Sequence, residues 1–191
     1  EDVTLSARLQ DGTVIEGESQ IPKSNQEIDR VFINPSDSAP LPEAIEEIKE
    51  ADAVILGPGS LYTSVLPNLL VEDLSTAIKE SNALTAYICN VMTQPGETDG
   101  YTASDHVQAI YDHLNFDIID HILVNNEEIS FELIKKYAEE GSTPVKIDSR
   151  ELKNQGLNVV QQEMINQSNV VRHDPEKLAK VIMDLVIREM E

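Results

Sequence analysis

Three scarcities frame this sequence. One cysteine, Cys89, stands in 191 residues. A lone cysteine excludes an internal disulfide framework, and its place inside an apolar run marks a buried, inert thiol. No apolar run approaches the ~20 residues that cross a bilayer, and the first residues carry no signal-peptide pattern. Positive charge is short: 14 Lys and Arg face 35 Asp and Glu, a net charge of −21. Such a surface repels the nucleic-acid backbone and anionic membranes, which excludes nucleic-acid binding and membrane insertion. An anionic ligand then needs a local device: backbone amides, a helix N-terminus, or an arginine such as Arg8, Arg30, Arg150 or Arg172.

Familiar catalytic signatures are missing too. No G-x-S-x-G elbow surrounds Ser60, and neither H-E-x-x-H nor a paired Cys-x-x-Cys occurs, so neither a nucleophilic triad nor a zinc site is expected. No repeat, low-complexity tract or linker interrupts the chain. Its length suffices for one sizeable domain, residues 1–191. The chain opens at Glu1 rather than Met, as expected of a fragment or a processed product.

The organising stretch is Ala51 to Val71, ADAVILGPGSLYTSVLPNLLV. Ala53–Leu56 is apolar without alternation and reads as a central strand buried on both faces. Gly57-Pro58-Gly59-Ser60 then allows a tight turn and close approach of a ligand to bare backbone. Hydroxyls at Ser60, Tyr62, Thr63 and Ser64 follow, and together these make either a phosphate cradle or an ordinary strand-to-helix turn.

Around this stretch the pattern is regular. Val3–Leu9 and Thr13–Ile21 alternate about Asp11-Gly12, a hairpin signal suited to a type I′ turn. Val31–Ile33 is a short strand, and Pro42–Lys49 a helix with Ile45 and Ile48 inward. Leu66–Ser81 reads as helix with a break near Glu72-Asp73, Leu84–Cys89 as a second buried strand, and Ala103–Leu114 as a helix. Strands follow at His121–Val124, Pro144–Ile147 and Asn158–Met164, helices at Phe131–Glu140, Ser149–Asn154 and Pro175–Glu189. This alternation predicts an α/β fold: three-layer, Rossmann-like, with a mainly parallel sheet and an N-terminal antiparallel hairpin.

Ligands of open α/β sheets bind beyond the carboxyl ends of the strands. That selects the loops at 57–64, 90–101, 125–130 and 148–149, and the segment 171–174. The loop Asn90–Tyr101 is longer than a bare connection needs and rich in amides and hydroxyls: Asn90, Thr93, Gln94, Thr98. Its carboxylates, Glu97 and Asp99, with Asp105 and His106 beyond, suit Mg²⁺ or acid–base work. Against that, Thr102–Asp105 has the form of a capping box, so Asp105 serves its helix. His106 and His113 border an apolar face and read as packing residues. Asp174 before Pro175 is an N-cap.

Two long motifs carry a resemblance. Gly57 to Val71, GPGSLYTSVLPNLLV, and Tyr87 to His106, YICNVMTQPGETDGYTASDH, are similar to the hallmark segments of the gluconeogenesis factor family (YvcK-like), a relative of 2-phospho-L-lactate transferase (CofD). The similarity runs from Gly17-Glu18-Ser19 to Val171-Arg172-His173. It implies a cytoplasmic protein that binds UDP-sugars such as UDP-N-acetylglucosamine, with roles in gluconeogenic growth, cell shape and peptidoglycan synthesis. It implies no cofactor and a ligand-dependent contact with a partner protein, and leaves a homo-oligomer open. Gly57, Pro58, Gly59, Ser60 and Thr63, with Asn90, Thr93, Gln94 and Asp99, would line the ligand site. Tyr137 and Arg172 would hold the nucleotide, the ring by stacking and the guanidinium by pairing with oxygens. Read without the resemblance, Tyr137 is a half-exposed helix aromatic and Arg172 a surface arginine. The rival implication is a transferase, with Mg²⁺ held by Asp99 or another loop carboxylate. The family's opening glycine-rich turn, Gly-Gly-Gly-Thr-Gly, has no counterpart here, as expected of a C-terminal portion.

Overall fold

The computed structural model describes residues 3–24 and 26–191. Its centre is a parallel sheet of four strands in sequence order: β4 (Ala53–Leu56), β5 (Leu84–Ile88), β6 (His121–Asn125) and β7 (Asn158–Gln162). Period-2 alternation sends successive side chains to opposite faces. Ala86, Ile88 and Leu123 pack under the last helix, α7 (Pro175–Met190), through its Leu178 and Leu185. Tyr87, Ile122 and Val124 pack on the other face against α4 (Ala103–Leu114) through Val107 and Ile110. Helix, sheet and helix form three layers, which explains the uninterrupted apolar strands.

One expectation about this sheet is corrected. β4 is an edge strand that pairs only with β5 among the described strands, and of its residues only Leu56 is buried. Its apolar run reflects cover on both faces, since Ile55 joins the α7 side and Val54 and Leu56 the α4 side. The incomplete burial reflects the open edge.

A second sheet precedes it, antiparallel in the order β2-β1-β3, from β1 (Thr4–Leu9), β2 (Val14–Glu16) and β3 (Ile28–Asn34). The hairpin is present, but its turn is not type I′. That turn needs positive φ at two residues, and only Gly12 has it, at 85°. The Gly12 amide bonds to the Leu9 carbonyl at 2.9 Å and the Leu9 amide to the Thr13 carbonyl at 2.8 Å, giving a three-residue loop that ends in a left-handed glycine. The Asp11 carboxylate takes the Thr13 amide at 2.8 Å. The second strand is correspondingly short.

The connections hold further differences. Leu61–Val65 is a π-helical turn, followed by α2 (Leu66–Leu69) and α3 (Glu72–Glu80), with α1 (Pro42–Glu50) preceding β4. Residues 144–147 are not a strand. Only isolated bridges form there, Met92 with Pro144 and Thr102 with Lys146, because proline offers no N–H to a ladder. β7 stops at Gln162, and the Met164 amide turns to the Asn125 side chain at 3.0 Å. A small hairpin then forms from β8 (Ile165–Gln167) and β9 (Val171–His173). Between β6 and β7 run α5 (Phe131–Glu139) and α6 (Ser149–Asn154). The capping box at Thr102 and Asp105 and the Asp174 N-cap both form.

Candidate functional site

At the carboxyl ends of β4 and β5 the structure opens a cleft of about 770 Å³, within the range of small-molecule sites. Ser60 and Thr63 come from the turn after β4, Met92 to Gln94 and Glu97 from the loop after β5, and Tyr137 and Glu140 from the end of α5. Glu18 and Ser19 close it from the antiparallel side. A second hollow of about 670 Å³ lies among Asp52, Lys79, Asp117, Asp120 and Glu189, at the amino ends of the strands, where α/β sheets do not present their ligand loops.

The loop after β5 is held from within and from both sides. Gln94 donates its amide N–H to the Thr98 hydroxyl at 2.9 Å, and the Glu97 and Thr98 amides return to the Gln94 carbonyl at 3.0 and 2.9 Å. Thr93 and Thr143 bond reciprocally, Thr93 N–H to the Thr143 carbonyl at 2.8 Å and Thr143 N–H to the Thr93 hydroxyl at 2.9 Å. Toward β4, the Gln94 side-chain amide donates to the Ser60 hydroxyl at 2.7 Å. Its other atom, Oε1, is buried with no hydrogen-bond partner. Asn90 Oδ1 is in the same condition. Buried acceptors left open are rare and call for donors.

Glu97 is the loop's buried charge, 6% exposed. Its carboxylate accepts the Tyr62 amide at 3.3 Å and the Thr63 hydroxyl at 3.0 Å, which fastens it to the start of the π-helical turn. Burial pushes its pKa up; the Thr63 hydroxyl and the Tyr62 and Thr63 amides pull it back, and the Glu18 charge adds to the rise. The sequence names Glu97 only among several loop carboxylates. Its place 34 residues from Thr63 gives no local signal of the contact.

The expected residues divide into three groups. Ser60, Thr63, Thr93, Gln94 and Tyr137 come together in the cleft. Gly57, Pro58 and Gly59 line a separate, smaller groove beside β4, about 350 Å³, with Ile48, Ile55 and Leu69. Gly57 has φ 91°, and a Cβ on Gly59 would press on the Ser64 Cβ at 3.0 Å, so both glycines suit the turn. Asn90, Asp99 and Arg172 lie outside the cleft lining. Asp99 is exposed and receives the Gly96 amide at 2.7 Å. Arg172 is exposed on β9, opposite Asn166. Tyr137 sits one residue away from it: its hydroxyl accepts the Val171 amide at 3.1 Å. Of the other arginines, Arg8 pairs with Asp29 at 2.7 Å, Arg30 donates to the Asp112 carbonyl, and Arg188 pairs with Glu189 at 3.2 Å.

Two of the histidines are packing groups. His106 and His113 are buried, and each places Nδ1 on a carbonyl one turn back, Thr102 at 2.8 Å and Ala109 at 2.7 Å. Burial pushes the Cys89 thiol up, as expected of an inert one. Among the described residues, no three His, Cys, Asp or Glu side chains gather as a metal site would require.

Comparison with known proteins bears on this arrangement. The family model of 2-phospho-L-lactate transferase CofD matches residues 1–165. This chain belongs to the CofD family. Within that family it is 50% identical, over 95% of its length, to the gluconeogenesis factor of Halalkalibacterium halodurans. It is also 50% identical, over 96% of its length, to that of Bacillus subtilis. The chain spans 57% and 58% of the length of those two relatives. A crystal structure of a UPF0052-family protein from Bacillus halodurans superposes with a TM-score of 0.93 at 49% identity, covering 96% of this chain and 59% of that one. The three-layer CofD-family fold is thereby established for this chain. No helix is long and apolar enough to cross a membrane among the described residues.

Proposed function

We propose that this protein is a gluconeogenesis factor that binds a UDP-sugar, UDP-N-acetylglucosamine, at the cleft between Ser60 and Gln94. In this reading it regulates gluconeogenic growth, cell shape and peptidoglycan synthesis from the cytoplasm by altering its contact with a partner protein. The observation that carries the binding is the unpartnered, buried Oε1 of Gln94, a residue of the cleft lining. A sugar supplies the hydroxyl and amide donors that such an acceptor lacks. The names of the two relatives support the gluconeogenic part of this role.

A transferase reading draws on Glu97, a buried carboxylate of raised pKa in the cleft, which is a base or acid in waiting. Mg²⁺ would then ride on the donor's phosphates, needing only one or two protein carboxylates. Asp99 is less well placed, since it lies outside the cleft lining and accepts the Gly96 amide.

Calorimetric titration with UDP-N-acetylglucosamine, UDP-glucose and GDP, with and without Mg²⁺, separates the two. UDP-sugar binding without Mg²⁺ and without product supports the regulator. GDP preference, or Mg²⁺-dependent binding with turnover, supports the transferase. Tyr137→Ala and Arg172→Glu are each expected to weaken UDP-N-acetylglucosamine binding; unchanged affinity in both would remove these two residues from the site.

A further inference from the structure

The glycine turn and the hydroxyls after β4 have the makings of a phosphate cradle, yet a carboxylate of the protein takes two of its donors. The Tyr62 amide and the Thr63 hydroxyl, two donors at the start of the π-helical turn, both go to Glu97. A carboxylate of the chain itself occupies the position that an anionic ligand would take. Glu18 and Glu140 line the same cleft, and among its lining residues there is no Lys, Arg or His. The polar side-chain groups beside Glu97 in the lining are uncharged: the Ser60 hydroxyl and the buried, unpartnered Gln94 Oε1. Met92, Pro22 and Pro95 add apolar wall, suited to the face of a sugar ring.

We infer that this cleft takes the uncharged, hydroxyl-bearing sugar of the nucleotide sugar and excludes anions, the ligand's own diphosphate included, because Glu97 already fills the anion position between the two loops. This rests on the nucleotide-sugar reading above and assigns one end of the ligand within it. The diphosphate lies outside the cleft, toward β9, which exposes Arg172 and whose Val171 amide donates to the hydroxyl of the lining residue Tyr137. Like charges confined in a partly desolvated cleft repel far more than in bulk water. The selectivity is therefore for the charge of the sugar more than for its stereochemistry.

The test compares UDP-glucose with UDP-glucuronate, which differ at a single carbon that carries a hydroxyl in one and a carboxylate in the other. Titrated into the full chain at low ionic strength, UDP-glucuronate is expected to bind roughly tenfold or more weakly. The gap should narrow severalfold in the double variant Glu18→Gln/Glu140→Gln, whose two positions are exposed. Added salt should narrow it as well. Equal or tighter binding of UDP-glucuronate would overturn the inference while leaving the nucleotide-sugar reading intact. A gap that neither salt nor the double variant moves would trace the discrimination to shape and overturn it too. Failure of both ligands to bind would overturn the nucleotide-sugar reading itself, and the inference with it.

Discussion

Gln94 donates to Ser60 at 2.7 Å across the mouths of two parallel strands, and this one bond couples the turn after β4 to the loop after β5. The bond also aims the rest of the Gln94 amide, so Oε1 is held in place rather than free to turn. Gln94→Ala removes both the coupling and the open acceptor. UDP-N-acetylglucosamine affinity is expected to fall about tenfold, the scale of a good hydrogen bond plus lost preorganisation. Thermal stability should change little, because the loop's other bonds come from backbone amides and from Thr93 and Thr98. Calorimetry beside a melting curve checks both halves, and a large drop in melting temperature would move Gln94 from the ligand site to the scaffold.

Glu97→Ala is expected to act on stability first. It strands the buried Tyr62 amide and leaves the Thr63 hydroxyl without its acceptor. An orphaned buried donor costs about 1–3 kcal/mol. Relief of the buried charge offsets part of that, since burial already disfavours the ionised form. The net expectation is a loss of about 1–2 kcal/mol in urea unfolding. A stabilised variant would mean that the buried charge outweighs the bonds it makes.

Two glycines of the same loop offer a controlled pair. Gly96 and Gly100 both have positive φ, 80° and 73°. A Cβ at Gly100 meets nothing within 4 Å, whereas one at Gly96 would run into the Pro22 carbonyl. Gly100→Ala should therefore cost only the left-handed backbone penalty, about 1–2 kcal/mol. Gly96→Ala should cost clearly more, because the backbone at Pro22 must move and the cleft wall moves with it. Equal losses in denaturant unfolding would show that the loop and the Pro22 turn slide apart freely.

The reach of sequence reasoning here follows the range of each interaction. The layered fold was legible because side-chain periodicity and helix caps are local: Thr102 and Asp105 announce their box within four residues. The carboxyl-end loops were legible because strand order fixes where they emerge, which brought Ser60, Thr63, Thr93 and Gln94 to one cleft; Tyr137, on helix α5, was named only through the family resemblance. The hairpin turn differed because Asp-Gly fits both a two-residue and a three-residue loop, and only hydrogen bonding distinguishes them. The edge position of β4 was hidden because apolar runs record cover on the faces and say nothing of neighbours in the sheet. Glu97 was hidden among carboxylates because its partners, Tyr62 and Thr63, lie on another loop.

Acid sensitivity should trace to the histidines. His113 accepts the Val31 amide on Nε2 at 2.9 Å and uses Nδ1 on the Ala109 carbonyl, so the folded ring is neutral with its proton on Nδ1. Burial holds its pKa below the ordinary value near 6.5; the Ala109 carbonyl opposes this, and nearby Arg30 adds to it. His106 and His173 are likewise held low by burial. The unfolded chain therefore binds these protons first as pH falls. Their contribution is complete above about pH 6.5 and is lost as pH drops through the lower folded values. Glu97 runs the other way: with its folded pKa raised, its protonation in acid favours the fold. His113→Gln, whose amide oxygen can accept the Val31 N–H, should flatten the loss of stability between pH 7 and 5, while Glu97→Gln should steepen it. Urea unfolding at unit steps of pH measures both slopes. Slopes that match the parent protein in the two variants would trace its acid response to other groups.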